Sequence, residues 1–394
     1  MKIICDRREL CKAIASLSKA IAKNPILKVL EGIRIQLDSF YSKKVSLCGY
    51  DMELGIQANV PAITEGDGDF VVSYQLLSKV LKKMAGNEVT IDISEESAVI
   101  QCGSTEFSVP AMTVEDYPTL PSFEDGEIFS IEQGKLRSMI QQTSYATFKG
   151  EDRPVYTGEL FEIDDNELKV VATDGYRLAV RTEKVSSGFS KKIVVPKRIL
   201  ETVASMIKKG DESLCNVTVT NSNIVFSVNG YFIFSYLLEG EFFNYKGAIP
   251  YSHETEVILN TADLISCLNR CSLLDEKNGF TRVDCEFSNN QLHVRSQTSI
   301  GKIHDVLPVQ MNGNEVFISL NKQYLLETVK AADCEQIRIQ LTDYKTTAKI
   351  LPVQGNDFIF LVMPAKAYKS NYHFIKSKHN HIECNQIYYK TIKI

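Results

Sequence analysis

The sequence contains no long apolar segment and no familiar catalytic motif. No window approaches the 18 uncharged apolar residues of a membrane span, and the N-terminus runs directly into charge, which argues against a signal peptide. The patterns of phosphate-binding loops, dinucleotide-binding folds, serine hydrolases and zinc proteases are missing. We therefore expect a cytoplasmic protein outside the membrane that is not an enzyme and uses no cofactor. An enzyme with an unfamiliar active site is the alternative, and it would show a pocket of perturbed titrating groups.

Cysteine and histidine are present but form no ligand pattern. The ten cysteines are scattered, and most stand in apolar contexts where a reduced thiol packs as a small hydrophobe. Cys267 and Cys271 lie four positions apart on a predicted helix, a spacing that also suits a shared metal, but no second Cys or His pair is near them. His379 and His381 lie in the C-terminal tail, where a nuclease interpretation lacks a metal-binding fold. We predict core cysteines and no metal.

What the sequence does contain is a threefold repeat. A short apolar strand leads into a helix at residues 70–84, 193–209 and 316–332. Equivalent positions, Leu76, Ile199 and Leu325, are 123 and 126 residues apart. A second strand–helix unit repeats in steps of 126 and 128 residues, beginning at Leu10, Leu136 and Leu264. This period is far too long for a solenoid and matches one domain per copy.

The repeat predicts an α+β fold of three similar domains, each with two helices packed on antiparallel sheet. The first helix is expected over residues 7–23, ending at Asn24-Pro25. The predicted boundaries are residues 1–125, 126–250 and 251–366, followed by a C-terminal extension over residues 367–394.

Positive charge is concentrated on the predicted helices. The net charge of the chain is −5, yet the six helices total +10 and everything else totals −15. Lysine placed on exposed helix faces for solubility is one explanation. The other is a helical surface that faces phosphates without reading sequence, since no helix-turn-helix or finger pattern is present.

One local motif stands out at residues 170–181, VVATDGYRLAVR. It predicts a hairpin that turns at Asp174-Gly175. Tyr176, Arg177 and Leu178 follow the turn, and we expect this aromatic, guanidinium and apolar set to lie at an exposed edge. A hairpin without further role is the alternative.

With the repeat, ATDGYRLA at residues 172–179 and VMP at residues 362–364, the chain resembles the bacterial DNA polymerase III beta subunits, the sliding clamps. The resemblance covers residues 1–366. It implies the DNA clamp fold, a ring-shaped homodimer of six similar domains with helices lining a hole around duplex DNA. It also implies a processivity factor of the replicative polymerase that has no catalytic activity. A sequence-independent DNA-binding scaffold that does not encircle DNA is the alternative function.

The resemblance further implies a groove, between the second and third domains, that binds short linear peptides. The implied partners are double-stranded DNA, the DNA polymerase III alpha subunit, the clamp loader, and other polymerases and repair proteins with clamp-binding peptides. Carried over by position, the groove residues are Tyr156, Thr173, Gly175, Tyr176, Arg177, Leu178, Phe243, Gly247, Ala248, Leu361, Met363 and Pro364. The chain departs from the family at Phe243, where proline is usual, and at Gly247 and Ala248, where bulkier residues are usual.

Two further sets of residues follow from the same interpretation. The residues expected to face DNA are Lys23, Lys79, Lys83, Lys149, Arg153, Lys197 and Arg198. The residues expected at the dimer interface are Phe107 and Val109, on an edge strand over residues 105–109, and Leu273 and Leu274, at a helix end. Residues 367–394 run past the usual family end, and they could cover the groove, add a strand or be disordered.

Helix spacing supports two chains for the ring that the resemblance implies. With neighbouring helices about 8–10 Å apart, a ring of six leaves roughly 9 Å clear, less than the ~12 Å width of the DNA major groove. A ring of twelve leaves roughly 28 Å.

Overall fold

A computed structural model of the chain describes residues 1–37, 43–94, 97–275 and 281–365. The chain divides into two compact units. Unit 1 is Met1–Arg137 with Arg198–Leu237, and unit 2 is Ser138–Lys197 with Leu238–Ile394. No helix in the described ranges is long and apolar enough to cross a membrane.

The repeated strand–helix units are confirmed. The α-helices in the described residues are α1 Arg7–Leu17, α2 Tyr74–Lys83, α3 Gln133–Thr143, α4 Lys197–Met206, α5 Thr261–Cys271 and α6 Lys322–Ala331. The starts of α1, α3 and α5 are 126 and 128 residues apart. A side-chain oxygen caps four of the helix starts by accepting hydrogen bonds from amides of the first turn, and the capping residues are Asp6, Ser73, Asn260 and Asn321.

The first helix is shorter than predicted. It ends at Leu17, and a 3-10 turn, Ser18–Ala20, replaces its expected continuation to residue 23. The Ser18 hydroxyl donates to the Ala15 carbonyl at 2.6 Å, a local bond that competes with the helical ladder and favours a tighter last turn.

Every strand pairing among the described residues is antiparallel, as predicted. The first repeat supplies β1 Lys2–Asp6, β2 Gly32–Leu37, β3 Lys44–Tyr50, β4 Leu54–Glu65, β5 Gly68–Ser73, β6 Glu88–Ile93, β7 Ser97–Cys102 and β8 Thr105–Thr113. The second supplies β9 Glu127–Glu132, β10 Gly158–Asp164, β11 Glu167–Thr173, β12 Arg177–Lys184, β13 Lys191–Pro196, β14 Leu214–Val219, β15 Asn223–Val228 and β16 Tyr231–Tyr236. The third supplies β17 Thr255–Asn260, β18 Arg282–Ser288, β19 Gln291–Gln297, β20 Lys302–Pro308, β21 Gln310–Gly313, β22 Val316–Asn321, β23 Gln336–Leu341, β24 Ala348–Pro352 and β25 Phe358–Val362.

In unit 1 the eight strands of the first repeat form a closed hydrogen-bonded circuit. Their order is β1-β6-β7-β8-β5-β2-β3-β4, and β1 also pairs with β4. β16 adds to β4, with Ile56 opposite Ile233, so the sheet continues into β15, β14 and β9 of the second repeat. α1 packs against α2 and against β4.

In unit 2 a nine-stranded sheet joins strands of the second and third repeats. Its order is β13-β10-β11-β12-β25-β24-β23-β17-β21, and the joint places Val180 of β12 opposite Ile359 of β25. A separate four-stranded sheet has the order β20-β19-β18-β22. α5 packs against α6.

Cysteines contribute to the cores of both units. The buried ones are Cys5, Cys48, Cys102, Cys215, Cys267, Cys271 and Cys285, whereas Cys11 and Cys334 are half-buried. Cys267 and Cys271 pack among the apolar residues around α5 and β18, which confirms the core assignment. No group of three or more His, Cys, Asp and Glu side chains in the described ranges is arranged to hold a metal. Cys384, His379 and His381 lie outside those ranges.

Candidate functional site

The TDGYRL segment forms the predicted hairpin turn in unit 2. β11 ends at Thr173 and β12 begins at Arg177. Asp174 Oδ1 accepts hydrogen bonds from the amides of Tyr176 and Arg177 at 2.9 and 3.0 Å, and the Thr173 hydroxyl donates to the Arg177 carbonyl at 2.8 Å. Gly175 has φ +89°, a backbone conformation that is strained for any residue with a side chain and favours glycine. The short polar residues of the motif therefore build the turn themselves.

The expectation that Arg177 is exposed is wrong, because its side chain is only 2% exposed. Its Nε donates to Asp174 at 2.9 Å, one terminal nitrogen donates to Glu327 at 2.5 Å, and the other donates to the Tyr145 carbonyl at 2.8 Å. The guanidinium also lies 5.2 Å from the ring centre of Tyr145 and 4.6 Å from that of Tyr324. Burial lowers the pKa of Arg177, but the two carboxylates outweigh it and raise that pKa. Each guanidinium nitrogen of Arg177 thus already donates to a partner within the chain, and the buried side chain is not accessible to a peptide.

Leu178 is also buried rather than exposed, at 0%. Together with Leu361 it belongs to an apolar cluster beneath the turn, whose other buried members are Leu160, Val171, Val180, Val194 and Tyr245. β25 pairs with β12 along its edge, with Leu178 directly opposite Leu361. Both predicted groove residues thus form a floor that no ligand reaches directly. Tyr176 is the exposed residue of the expected set, at 47%, and it stacks on Tyr324.

Half-buried apolar side chains cover this floor and form what we call the apolar patch: Val155, Tyr156, Leu238, Phe242, Phe243, Ile249 and Ile359. Three aromatic rings form its centre, with Tyr156 5.2 Å from Phe242 and 6.3 Å from Phe243 between ring centroids. Burial raises the pKa of Tyr156. Of the patch, the sequence interpretation included Tyr156 and Phe243 alone. The Phe242-Phe243 doublet was the available signal for a wider aromatic surface.

The remaining predicted groove residues lie next to the turn or the floor. The Met363 amide donates to the Tyr176 carbonyl at 2.9 Å, and Pro364 bridges to Leu320. Gly247 and Ala248 end the 3-10 turn Tyr245–Ala248. A Cβ added at Gly247 would meet no atom within 4 Å, so the chain leaves open space there.

Glu162 anchors the 3-10 turn to the sheet. It accepts from the Tyr245 hydroxyl at 2.6 Å and from Lys246 at 3.0 Å, and it lies 3.1 Å from Lys192. Burial acts to raise the pKa of Glu162, but these hydrogen bonds outweigh it and lower the pKa to about 2. The carboxylate form is therefore the one that the fold stabilises.

Glu162→Gln is accordingly expected to cost stability in a pH-dependent way. Because the folded-state pKa lies below the unfolded value of about 4.3, the advantage of the parent protein is complete above that value and is lost as pH falls toward 2. Urea unfolding of both proteins between pH 7 and pH 3 measures this difference. Glu239→Gln, at an exposed glutamate of the same unit, is the control, and a parent–variant difference that does not change with pH would contradict the role of Glu162.

Most of the basic residues predicted to face DNA are exposed. These are Lys23, Lys79, Lys83, Lys149, Arg153 and Arg198. Arg198, however, forms ion pairs with Asp51 and Glu53, so much of its charge is neutralised. Lys197 is half-buried, contrary to its expected exposure, and Lys82, which is not in the predicted set, is exposed on the same helix as Lys79 and Lys83. Within their observed bounds the six helices still carry a net +9.

Some of the residues predicted at the dimer interface are exposed, and others are buried or half-buried. On β8, Phe107 is 42% exposed, but Val109 is buried at 6% and is already covered by its own chain, contrary to expectation. Of the described strands, only β7 pairs with residues 105–110 of β8, which leaves that stretch with one open edge. In unit 2, Leu273 is 81% exposed and Leu274 is half-buried. The Lys322 amine holds their turn by donating to the Ser272 hydroxyl at 2.9 Å.

Comparison with known proteins identifies the family of this chain. The models of the DNA polymerase III beta subunit match its N-terminal domain at residues 1–121, its central domain at residues 130–244 and its C-terminal domain at residues 246–366. The chain belongs to the DNA polymerase III beta subunit family. The resemblance seen in the sequence and the three-domain clamp fold are thereby confirmed.

The matches to individual relatives extend over nearly the whole length of this chain. The beta sliding clamps of Bacillus subtilis and Halalkalibacterium halodurans are 26% and 28% identical, and each match covers 93% of this chain and 100% of the relative. The crystal structure of a putative beta subunit from Eubacterium rectale is 27% identical with a TM-score of 0.87, and the Bacillus subtilis clamp structure is 25% identical with a TM-score of 0.89. Each structural match covers 93% of this chain and 100% of the other. The family function is that of a sliding clamp in DNA replication, and it involves no catalysis.

Proposed function

We propose that this chain, as a sliding clamp, docks the peptides of its partners on the apolar patch. The observation that carries the proposal is the patch itself, an aromatic surface beside the TDGYRL turn in a chain of the clamp family. Its partners would be the DNA polymerase III alpha subunit, the clamp loader, and other polymerases and repair proteins. Its place of action would be the cytoplasm.

The patch suits an extended peptide with apolar anchors. Half-buried rings over a packed floor offer apolar area that a leucine or phenylalanine side chain can cover, and one such burial is worth about 1.5–3 kcal/mol. The open space at Gly247 leaves room at one side of the patch. Arg177, buried and hydrogen-bonded to partners within its own chain, would support the turn from below and not contact the peptide.

The assembly we propose is a homodimer of three-domain chains, with domains at residues 1–125, 126–250 and 251–366. Phe107 and Leu273 supply the exposed apolar contacts, and the open edge at residues 105–110 of β8 needs a partner strand. The exposed lysines Lys23, Lys79, Lys83 and Lys149 would face double-stranded DNA and neutralise phosphates without reading bases.

Phe243→Ser is expected to weaken peptide binding about tenfold or more, since it removes an aromatic contact worth about 1.5–3 kcal/mol. A labelled synthetic peptide with leucine and phenylalanine anchors, titrated by fluorescence anisotropy, measures the change. Leu214→Ser is the matched control, because Leu214 is 63% exposed and lies in unit 1. Parent-like binding by Phe243→Ser would place the docking surface elsewhere. Leu178→Asp is unsuitable as a test, because it buries a charge in the floor.

Encirclement is tested by DNA topology. Protein assembled by a clamp loader on a nicked circle is expected to stay on the DNA through gel filtration and to be lost after a restriction cut linearises the circle. Direct phosphate contacts alone would give retention that depends on salt and not on topology. Equal retention on both DNA forms would favour the alternative of a non-encircling scaffold.

A further inference from the structure

The described part of unit 2 ends beside the TDGYRL turn. The Met363 amide bonds to the Tyr176 carbonyl, Pro364 bridges to Leu320, and the Ala365 amide donates to the Ser319 carbonyl at 2.7 Å. The family match ends at residue 366, and 28 further residues follow. That segment therefore starts beside the turn that adjoins the apolar patch, where we propose that peptides dock.

The segment has the composition of a ligand for such a surface. Residues 367–394 include five isoleucines and five aromatic residues, Tyr368, Tyr372, Phe374, Tyr388 and Tyr389. They also include five lysines and one glutamate, a net charge of +4 that leaves −9 on residues 1–366. An apolar and basic segment is thus attached to an acidic body.

The surroundings of the apolar patch complement that charge. Three exposed acids flank patch residues along the chain: Glu151, Glu239 and Glu241. A fourth, Asp152, lies 3.9 Å from Arg153 and offsets its charge, and Lys246 lies 3.0 Å from Glu162. An aromatic surface with an acidic border favours a peptide that carries both apolar anchors and lysines.

We infer that residues 367–394 bind to the apolar patch of their own chain and compete there with partner peptides. The inference rests on the proposed function of the patch. An extended segment of this length reaches about 90 Å, so distance does not prevent the contact. Attachment to the same chain gives an effective concentration in the millimolar range. A local dissociation constant of about 100 μM would then weaken the binding of an external peptide about tenfold.

The experiment compares the full chain with a variant lacking residues 368–394, which keeps every described residue. The leucine- and phenylalanine-bearing probe is expected to bind the deletion variant about tenfold more tightly. A second variant replaces residues 368–394 by a glycine and serine segment of equal length. It is expected to bind the probe as tightly as the deletion variant does. The reason is that the apolar side chains of the tail, and not its length, compete with the probe for the apolar patch. Thermal unfolding of all three proteins checks that they are folded.

A second arm measures the contact itself. A labelled synthetic peptide of residues 367–394 is expected to bind the deletion variant saturably, and Phe243→Ser in that variant is expected to weaken it tenfold or more. Leu214→Ser is expected to leave it unchanged. Equal probe affinity for the full chain and the deletion variant would overturn the inference. Tail-peptide affinity that is unchanged by Phe243→Ser would also overturn it.

Two further outcomes have distinct meanings. If the probe binds no variant, the proposed function of the patch fails, and the tail-peptide arm still decides the inference. If the competition in the full chain fades on dilution from micromolar to nanomolar protein, the segment of a second copy occupies the patch and the inference is overturned. A contact within one chain is independent of protein concentration.

Discussion

Arg177→Ala is expected to lower the free energy of unfolding of unit 2 by about 3–5 kcal/mol, because it removes one member of a buried charge network. Asp174 and Glu327 would then keep their charges without a counterion in a largely buried setting, and the rings of Tyr145 and Tyr324 would face a cavity. Urea unfolding, followed by tyrosine fluorescence and by circular dichroism, measures the change. Peptide binding should fall with it, since the turn that carries Tyr176 loses its support.

Arg153→Ala is the matched control. Arg153 lies 3.9 Å from Asp152 in the same unit, both side chains are exposed, at 46% and 73%, and exposed pairs contribute about 0–1 kcal/mol. Arg177→Lys adds a second comparison, because it retains the charge but loses the planar fork that serves three acceptors. A loss below about 1 kcal/mol for Arg177→Ala would mean that the network is not a structural element.

The double substitution Leu273→Ala with Leu274→Ala is expected to convert the proposed dimer to monomer at micromolar concentration. Each interface would lose about 3 kcal/mol of apolar burial, and a twofold ring contains that interface twice, so the dissociation constant rises by about 10⁴. Sedimentation velocity across a concentration series measures the change. Leu273 is the main contributor, because Leu274 is already half-covered in the single chain.

Ile63→Ala is the control for that experiment. Ile63 is 66% exposed on β4, outside both predicted interface sets. Its loss is expected to leave the sedimentation coefficient unchanged. A double variant that sediments like the parent protein would remove Leu273 and Leu274 from the interface.

The repeat and its secondary structure were predictable because their signals are local. Each copy contains strands of alternating polarity, and in the first and third copies a polar capping residue stands directly before each helix, such as Asp6, Ser73 and Asn321. The TDGYRL turn was predictable for the same reason, since Asp174 and Gly175 satisfy its backbone within four residues. The length of the first helix was overestimated, because apolar periodicity contains no sign of the hydrogen bond from the Ser18 hydroxyl to the Ala15 carbonyl.

The burial of the site was not predictable from local pattern. Alternation assigns the residues of β12 to two faces, but it does not say whether either face is covered. The partner of Leu178 comes from β25, and the partners of Arg177 come from 32 and 150 residues away along the chain. The sequence of a hairpin does not show whether its edge strand is exposed to solvent or paired with another strand.

By itself, then, the sequence determined the three repeats, the antiparallel strands, the helix starts, the turn at Gly175 and the concentration of positive charge on helices, since each depends on neighbours within a few positions. The tertiary structure alone decided that the repeats join through β4 with β16 and β12 with β25. It also decided that Arg177 and Leu178 lie beneath the surface, and that Tyr156, Phe242 and Phe243 meet above them. Those features depend on which distant segments exclude water from one another, and that is settled only when the whole chain packs.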